Sequence, residues 1–251
     1  MNDVAVISGA SKGIGRITAF ELAKKGINLA LLARSYKVCK QIANKIEKET
    51  KVQVLPILTD LTIKESIKNA VKNIMDKFGR IDYLINLAGY PLDLKLWKKK
   101  VHEIEEEEIN QVMNVDFFGT FRLVKECLPI MMKQKKGVIV NVSSIPAISG
   151  DLEGTVYSLA KSLNIILTKN IAIQYGEYNI RAYTIALGSI KTRSTYYILS
   201  KKERKRLALE TSLKRWGEPI EIAKLISSLI SESFSFVTGQ TIIADGGVVM
   251  I

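Results

Sequence analysis

Residues 4–15 read VAVISGASKGIG, and they predict how the first part of this chain folds. Val4 to Ser8 is a short apolar run typical of a buried strand, and a helical pattern with Ile17, Phe20, Leu22 and Ala23 follows the glycines. Glycine lets the backbone bend tightly and approach a phosphate, whose charge then lies at the N-terminus of the next helix. The segment therefore predicts a strand, turn and helix that bind the phosphates of a dinucleotide.

A second motif lies further along the chain. Tyr157 and Lys161 are four residues apart, so on a helix their side chains share one face, and Ser144 precedes Tyr157 by thirteen residues. An ammonium beside a phenol favours the phenolate. Such a tyrosine can pass a proton to a carbonyl oxygen.

The Tyr-x-x-x-Lys pattern occurs three times, at Tyr36/Lys40, Tyr157/Lys161 and Tyr197/Lys201. Only the middle pair has suitable surroundings: residues 137–142 are an apolar, β-branched run, residues 143–154 are loop-like, and a helical pattern begins at Thr155. Ser144 is thus expected at a strand end that points to a helix carrying Tyr157. The other two pairs are interpreted as solvated helix surface.

Together these motifs resemble the short-chain dehydrogenase/reductase family over the whole chain, although Gly-x-x-x-Gly-x-Gly departs from the Gly-x-Gly-x-x-Gly of most nicotinamide dehydrogenases. Further matches are Asp60-Leu61, residues 86–89, Asn114, residues 187–192, residues 238–240 and residues 245–247. Two positions differ from the usual pattern, Leu87 in place of Asn and Leu187 in place of Pro.

The resemblance implies hydride transfer between a nicotinamide and a carbonyl carbon. Tyr157 would donate the proton, Ser144 would position the carbonyl, Lys161 would bind the ribose hydroxyls, and Asn114 would hold a water that connects Lys161 to solvent. The implied cofactor contacts are Gly9, Ser11, Lys12, Gly13, Ile14, Gly15, Arg34, Asp60, Leu61, Asn86, Ala88, Gly89, Tyr157, Lys161, Gly188, Ile190 and Thr192.

Cofactor preference is read from the end of the second predicted strand. An Asp or Glu there usually accepts a hydrogen bond from the ribose of NAD, whereas an Arg accommodates the 2′-phosphate of NADP. Here the strand ends in Ala33-Arg34-Ser35, Lys12 is expected nearby, and no carboxylate is expected to oppose the two cations. The sequence predicts NADP(H) rather than NAD(H).

The rest of the chain alternates strand and helix, which predicts a single α/β domain over residues 1–251 with a doubly wound parallel sheet. The predicted strands are 4–8, 28–33, 52–58, 83–86, 137–142, 179–185 and 241–243. The predicted helices are 13–25, 36–50, 63–78, 105–134, 155–175 and 219–231. The order 3-2-1-4-5-6-7 of the seven-stranded sheet follows from the family resemblance.

Composition limits the alternatives. A chain of 251 residues with 47% hydrophobic residues can bury one core, and no run reaches the roughly 18 apolar residues of a membrane span. With the first strand at Val4 we expect no signal peptide and a cytoplasmic protein. A single histidine and two separated cysteines predict no metal site. The net charge of +12 is spread over most helices without a nucleic-acid motif, so we expect no nucleic-acid partner.

The substrate is expected to be a small carbonyl compound or alcohol, covered by a lid at about residues 189–216. The C-terminal half most resembles 3-oxoacyl-acyl-carrier-protein reductases, with Lys135 at a carrier-docking position. The second docking cation is replaced by Tyr178, which weighs against a carrier protein. A free ketone, an acyl-CoA or a sugar stays open, and Trp97 and Tyr90 lie in a longer loop that reshapes the pocket. A nucleotide-sensing regulator and a structural oligomer are disfavoured, because the whole proton-transfer set is present.

The family resemblance also implies a homotetramer with two-fold interfaces. Apolar residues in two helices and at the C-terminus offer the surfaces: Val112, Phe117, Phe118 and Phe121; Leu163, Ile166, Leu167, Ile171 and Ile173; and residues 248–251. Exposed apolar surface of this kind marks a contact between subunits.

Overall fold

The computed structural model describes residues 2–250, which contain one sheet of seven parallel strands. The strands are β1 (Val4–Ser8), β2 (Asn28–Ala33), β3 (Val54–Leu58), β4 (Tyr83–Asn86), β5 (Gly137–Ser144), β6 (Ile180–Leu187) and β7 (Thr241–Ala244). Their order is β3-β2-β1-β4-β5-β6-β7, which confirms the predicted topology. Strands β5 and β6 each run two residues further at the carboxyl end than predicted, so Ser144 is the last residue of a strand rather than part of a loop.

Helices connect these strands and cover both faces of the sheet. They are α1 (Gly13–Lys24), α2 (Tyr36–Glu49), α3 (Lys64–Phe78), α4 (Leu94–Lys98), α5 (Glu106–Asp116), α6 (Phe118–Gln134), α7 (Pro146–Ser149), α8 (Thr155–Tyr175), α9 (Lys201–Glu210) and α10 (Pro219–Leu229). The short helices α4 and α7 fall in segments that the sequence predicted as loops.

The helix predicted over residues 105–134 is two helices, with a break at Phe117. The backbone of Phe117 has φ −110° and ψ −60°, away from regular helix values. Just before it, the carbonyl of Asp116 accepts a hydrogen bond from Asn164 Nδ2 in α8 at 3.0 Å. A contact with another helix therefore accompanies the break, which is why local sequence periodicity does not predict it.

Alternating strand residues bury into two separate cores. On β1, Ala5 and Ile7 pack with α1, α2 and α10, whereas Val4 and Val6 pack with α3, α6 and α8. This is the doubly wound arrangement, in which each strand is buried on both faces. It brings the carboxyl ends of all the parallel strands to one end of the sheet, where ligands bind in such folds.

At the other end of the sheet, where the strands begin, the buried carboxylate of Asp82 links the amino ends of β1 and β4. Asp82, directly before β4, accepts hydrogen bonds from the Val4 amide and from Arg80 Nε, both at 2.8 Å. Asp3 accepts from Tyr83 Oη at 2.6 Å and from Lys136 Nζ at 2.9 Å.

Across residues 2–250, no helix combines the length and apolar character needed to cross a bilayer.

Candidate active site

The glycine turn after β1 fits against the loop after β4. Gly9 has φ +70°, and a Cβ built on it would lie 2.8 Å from the backbone nitrogen of Ala88. A Cβ on Gly15 would overlap the carbonyl oxygen of Gly9. Ser8 Oγ accepts from the amides of Leu87 and Ala88, at 3.1 and 3.2 Å. These glycines leave a bare backbone cradle at the start of α1, which suits the phosphates of a dinucleotide.

The base of the predicted lid reaches the same turn. A Cβ on Gly13, which has φ +54°, would lie 3.8 Å from Thr192 Cγ2. Behind it, a Cβ on Gly188 would overlap the Asp245 side chain, and Ile190 is buried beside Gly217. Ser11, Lys12 and Ile14 complete the turn, with Lys12 exposed. The structure therefore brings the predicted residues of the glycine turn and of the lid base to one cleft.

Arg34 is exposed at the end of β2, and a carboxylate from the neighbouring strand lies within its electrostatic reach. Asp60, just after β3, accepts from the Thr62 hydroxyl at 2.7 Å and from the Thr62 amide at 2.9 Å. These hydrogen bonds and the attraction of Arg34 hold the pKa of Asp60 below its ordinary value. Asp60 attracts Arg34 without forming an ion pair with it among the described residues, so the preference for NADP(H) stays a prediction. Leu61, next to Asp60, is buried against Gly119 instead of lining an open surface.

Tyr157 and Lys161 project from the first two turns of α8. Lys161 Nζ lies 5.5 Å from the centre of the Tyr157 ring, as the spacing of four predicts. The hydroxyl of Ser143 donates to the carbonyl of Lys161 at 2.9 Å, which fixes the end of β5 against this part of α8. Ser144 is the next residue, and its hydroxyl donates to the Leu187 carbonyl at 3.1 Å. The carboxyl ends of β5 and β6 thus meet α8 at the Tyr157 and Lys161 turn.

The side chain of Asn114 is bonded to Arg122, and its water-mediated link to Lys161 stays a prediction. Asn114 Oδ1 accepts from Arg122 Nη1 at 2.8 Å, and no hydrogen bond joins Asn114 to Lys161 among the described residues. The residue of α5 that faces the ammonium is Asp116, whose Oδ2 lies 3.4 Å from Lys161 Nζ. Sequence reasoning missed Asp116. The available signal was an acidic residue inside the apolar run from Val115 to Phe118.

The environment of Lys161 is buried and charged. Burial disfavours the ammonium, but the Asp116 carboxylate together with Tyr157 outweighs this and raises the pKa of Lys161 above its ordinary value. A Cβ on Gly89 would lie 3.2 Å from Asp116 Oδ1 and 3.7 Å from Lys161 Nζ, so a larger residue would crowd the pair. Nearby, Asn86 Nδ2 donates to Asn141 Oδ1 at 2.8 Å. The predicted residue Gly89 therefore lies beside Lys161, and Asn86 pairs with Ser8 at the end of β1.

Trp97, from α4, covers one side of Tyr157. The two ring centres are 5.4 Å apart, with planes tilted by 50°. The Trp97 carbonyl accepts from the Gly154 amide at 2.7 Å, and a Cβ on Gly154 would lie 2.8 Å from the indole. The loop that carries Trp97 is therefore packed onto the segment that leads into α8, and its indole forms an aromatic wall beside the phenol.

The predicted lid consists of a turn, α9 and a return to Trp216. Tyr196 packs edge-on against Trp216, with ring centres 5.0 Å apart, and the Arg204 guanidinium lies 4.5 Å from the Tyr196 ring. Trp216 Nε1 donates to the Arg204 carbonyl at 2.9 Å. A basic groove of about 840 Å³ runs between α9 and α10. Its lining contains none of Ser144, Tyr157 and Lys161, so this groove is not the site of the proton-transfer residues.

Comparison with known proteins identifies relatives over nearly the full chain. A family model described as enoyl-(acyl carrier protein) reductase matches residues 9–249. The 3-oxoacyl-[acyl-carrier-protein] reductase of Thermotoga maritima is 35% identical over 250 residues, covering 98% of each chain. The 7α-hydroxysteroid dehydrogenase of Bacteroides fragilis is 31% identical over 246 residues, covering 98% of this chain and 94% of the relative.

A solved structure gives the same architecture. The L-sorbose reductase of Gluconobacter frateurii, in complex with NADPH and L-sorbose, superposes with a TM-score of 0.93 at 25% identity. The match covers 100% of this chain and 97% of the reductase. These relatives share the whole domain rather than the nucleotide-binding half alone.

Proposed function

The chain belongs to the short-chain dehydrogenase/reductase family and is similar to 3-oxoacyl reductases, and we propose that it uses NADPH to reduce the keto group of a 3-oxoacyl thioester. One observation supports the proposal above all. Tyr157, Lys161 and the end of β5 lie together at the carboxyl end of the sheet, beside the glycine cradle. Family membership supports the oxidoreductase class. The choice of cofactor and of substrate is the proposal.

A nicotinamide cofactor held at the glycine cradle would supply the hydride for the carbonyl carbon. Tyr157 gives its hydroxyl proton to the carbonyl oxygen, so that the ketone becomes a secondary alcohol and the tyrosine becomes a phenolate. The Lys161 ammonium, 5.5 Å from the ring centre, stabilises that negative charge. Ser144 exchanges its hydrogen bond to Leu187 for one to the substrate oxygen, and a proton from solvent restores the Tyr157 hydroxyl.

The preference for NADPH rests on Arg34 and Lys12, both exposed near the glycine cradle. A guanidinium forms strong charge-assisted hydrogen bonds with a phosphate. Asp60 balances part of the Arg34 charge, and its hydrogen bonds to Thr62 keep the carboxylate directed toward its own loop. The 2′-phosphate would therefore meet Arg34 and Lys12.

An acyl thioester that is free of a carrier protein fits the surface best. Lys135 is exposed at the end of α6, but Tyr178, at the second docking position, packs against the core and supplies no charge. A second candidate is a cyclic secondary alcohol or ketone. It is favoured by the flat wall that Trp97 presents beside Tyr157 and by the similarity to a hydroxysteroid dehydrogenase.

The test is NADPH oxidation with a panel of acetoacetyl-CoA, diketones, cyclic ketones and aldoses. We expect acetoacetyl-CoA to give the highest kcat/KM and the Tyr157→Phe variant to be inactive on it. A higher kcat/KM with a cyclic ketone would select the second candidate. Absence of turnover on every carbonyl, with both NADPH and NADH, would refute the reductase proposal.

A further inference from the structure

The ammonium of Lys161 is buried against a carboxylate. Lys161 Nζ and Asp116 Oδ2 are 3.4 Å apart, and the two side chains retain only 6% and 0% of their exposure. A lysine at such burial loses its proton readily unless an opposite charge lies beside it, because water no longer solvates the ammonium. Lys161 can therefore keep its charge here only through its partner.

Asp116 is held in place by groups other than Lys161. Its Oδ1 accepts a hydrogen bond from the Tyr90 amide, and its carbonyl accepts from Asn164 Nδ2 at 3.0 Å. Gly89 packs so close that a Cβ there would lie 3.2 Å from Asp116 Oδ1. The carboxylate is thus fixed at the point where α5 ends, and it presents Oδ2 to the lysine.

Few other charged groups act on this ammonium. From α5 it faces Asp116, and from its own helix it faces Tyr157. Strand β5 contributes the neutral Ser143, and the loop after β4 contributes Gly89. Within residues 2–250, Asp116 is the one carboxylate that pairs with Lys161.

We propose that Asp116 is a positioning residue, the counter-ion that keeps Lys161 charged and fixed beside Tyr157 across the working pH range. This rests on the proposed function for the role of Lys161 toward Tyr157 and the ribose hydroxyls. Neutralising Asp116 removes a negative charge, and the proton affinity of each group that faced it then falls. Loss of activity and of cofactor affinity at alkaline pH should therefore begin at a lower pH.

The experiment compares wild type with Asp116→Asn, which keeps the size and the oxygen that accepts from Tyr90. NADPH and NADH affinities are titrated by fluorescence between pH 6 and 10, and the pH–rate profile is recorded with the best substrate. We expect the alkaline midpoints of both profiles to move down by about one pH unit or more in the variant. The matched control is Glu108→Gln on the same helix, whose carboxylate pairs with Lys99 at 2.7 Å and should leave the midpoints unchanged.

Equal midpoints in wild type and Asp116→Asn would overturn the proposal, even if the variant is slower at every pH, because only a structural role would then explain the loss. If Asp116→Asn does not fold, Asp116→Asn/Lys161→Met decides. If the double variant folds, the unpaired ammonium of Lys161 prevented Asp116→Asn from folding, which supports the proposal. If the double variant does not fold, the proposal is overturned. The pH dependence of cofactor affinity can be measured without a substrate. Failure to reduce any carbonyl would therefore refute the proposed function but leave the test of Asp116 intact.

Discussion

The indole of Trp97 lies against the phenol ring of Tyr157, with ring centres 5.4 Å apart. If Tyr157 gives its proton to the carbonyl oxygen, as proposed, the indole borders the space for the substrate carbonyl. We expect Trp97→Ala to lower kcat/KM for cyclic ketones relative to acetoacetyl-CoA by about tenfold, because a flat ring loses the wall on which it packs and such a pocket contact is worth about 1–3 kcal/mol. Trp97→Phe keeps an aromatic wall, so its ratio of kcat/KM values should lie between those of Trp97→Ala and wild type. An unchanged ratio of kcat/KM values in Trp97→Ala would show that the indole does not border the substrate.

Replacing Tyr157 by Phe should remove the proton donor and keep the ring that packs on Trp97. A positioned general acid contributes about 10²- to 10⁴-fold to a rate, so kcat should fall by that factor while cofactor affinity changes less than about twofold. Tyr36→Phe is the control, because Tyr36 belongs to a Tyr-x-x-x-Lys pair on exposed helix surface and should keep full kcat. A Tyr157→Phe enzyme with more than about a tenth of wild-type kcat would contradict the assigned role.

Arg34→Asp should shift cofactor preference from NADPH toward NADH. One charge-assisted contact is worth about 1.5–3 kcal/mol, so NADPH affinity should fall roughly 10- to 150-fold while NADH affinity changes little. Asp60→Asn should act in the opposite direction and tighten NADPH binding, because it removes the carboxylate that attracts Arg34. Lys37→Asp, the same charge change at an exposed position in α2, serves as the control. Equal wild-type affinities for the two cofactors would end the argument for NADP(H).

Asp3 should make part of the stability depend on pH. Burial raises its pKa, but hydrogen bonds from Tyr83 and Lys136 and the attraction of Arg80 outweigh this and leave the pKa below its ordinary value. A lowered folded-state pKa stabilises the protein above the unfolded pKa of about 4, and this contribution is lost as pH falls through the folded value.

The measurement is urea unfolding of wild type and Asp3→Asn from pH 7 to pH 3. The variant should be less stable by about 1 kcal/mol at pH 7, and the difference should shrink below about pH 4. Asp76→Asn, at an exposed position in α3, should show no such pH-dependent difference. A difference between wild type and Asp3→Asn that stays constant over the whole range would mean that Asp3 acts through packing and not through its charge.

Exposed apolar residues on α6, on α8 and near the C-terminus indicate surfaces for assembly. Val112 and Ile171 prove to be core residues, whereas Phe118, Phe121, Ile166 and Ile173 are exposed on α6 and α8. At the C-terminus Val248 and Met250 are exposed, and Ile251 lies outside the described residues. We expect a homotetramer, with a mass near four times 28.0 kDa by light scattering at micromolar concentration.

Ile166→Asp should reduce the mass to that of a dimer by placing a charge in the α6 and α8 contact. Ile63→Asp, at an equally exposed apolar position just before α3, should leave the mass unchanged. A wild-type monomer at micromolar concentration would refute the assembly, and a wild-type dimer would mean that only one of the two surfaces is used.

The fold was largely predictable, because strands buried on both faces leave apolar runs and the glycine turn marks the first crossover. The sheet order came from the family resemblance, since periodicity does not specify which strands are neighbours. The break at Phe117 was not predictable, because it accompanies the contact between Asp116 and Asn164 of another helix.

The same limit explains why Asp116 was not predicted. Residues two apart on a helix point about 200° away from each other, so only one of Asn114 and Asp116 can face Lys161. The rotation of α5 decides which of them does, and the tertiary contacts of Asp116 with Tyr90 and Asn164 set that rotation. Tyr157 and Lys161 were predictable because their relation lies within one uninterrupted helix.

The two hydrogen bonds that Ser8 accepts from Leu87 and Ala88 also bear on the order of events during folding. They join segments nearly eighty residues apart, and the close fit of Gly9 to Ala88 depends on the same strand pairing. Contacts of such long sequence separation form late, because the intervening loop must first be closed. A nascent chain that has emerged only through α2 therefore carries the complete glycine motif without a finished phosphate cradle, and nucleotide capture has to wait until β4 joins the sheet.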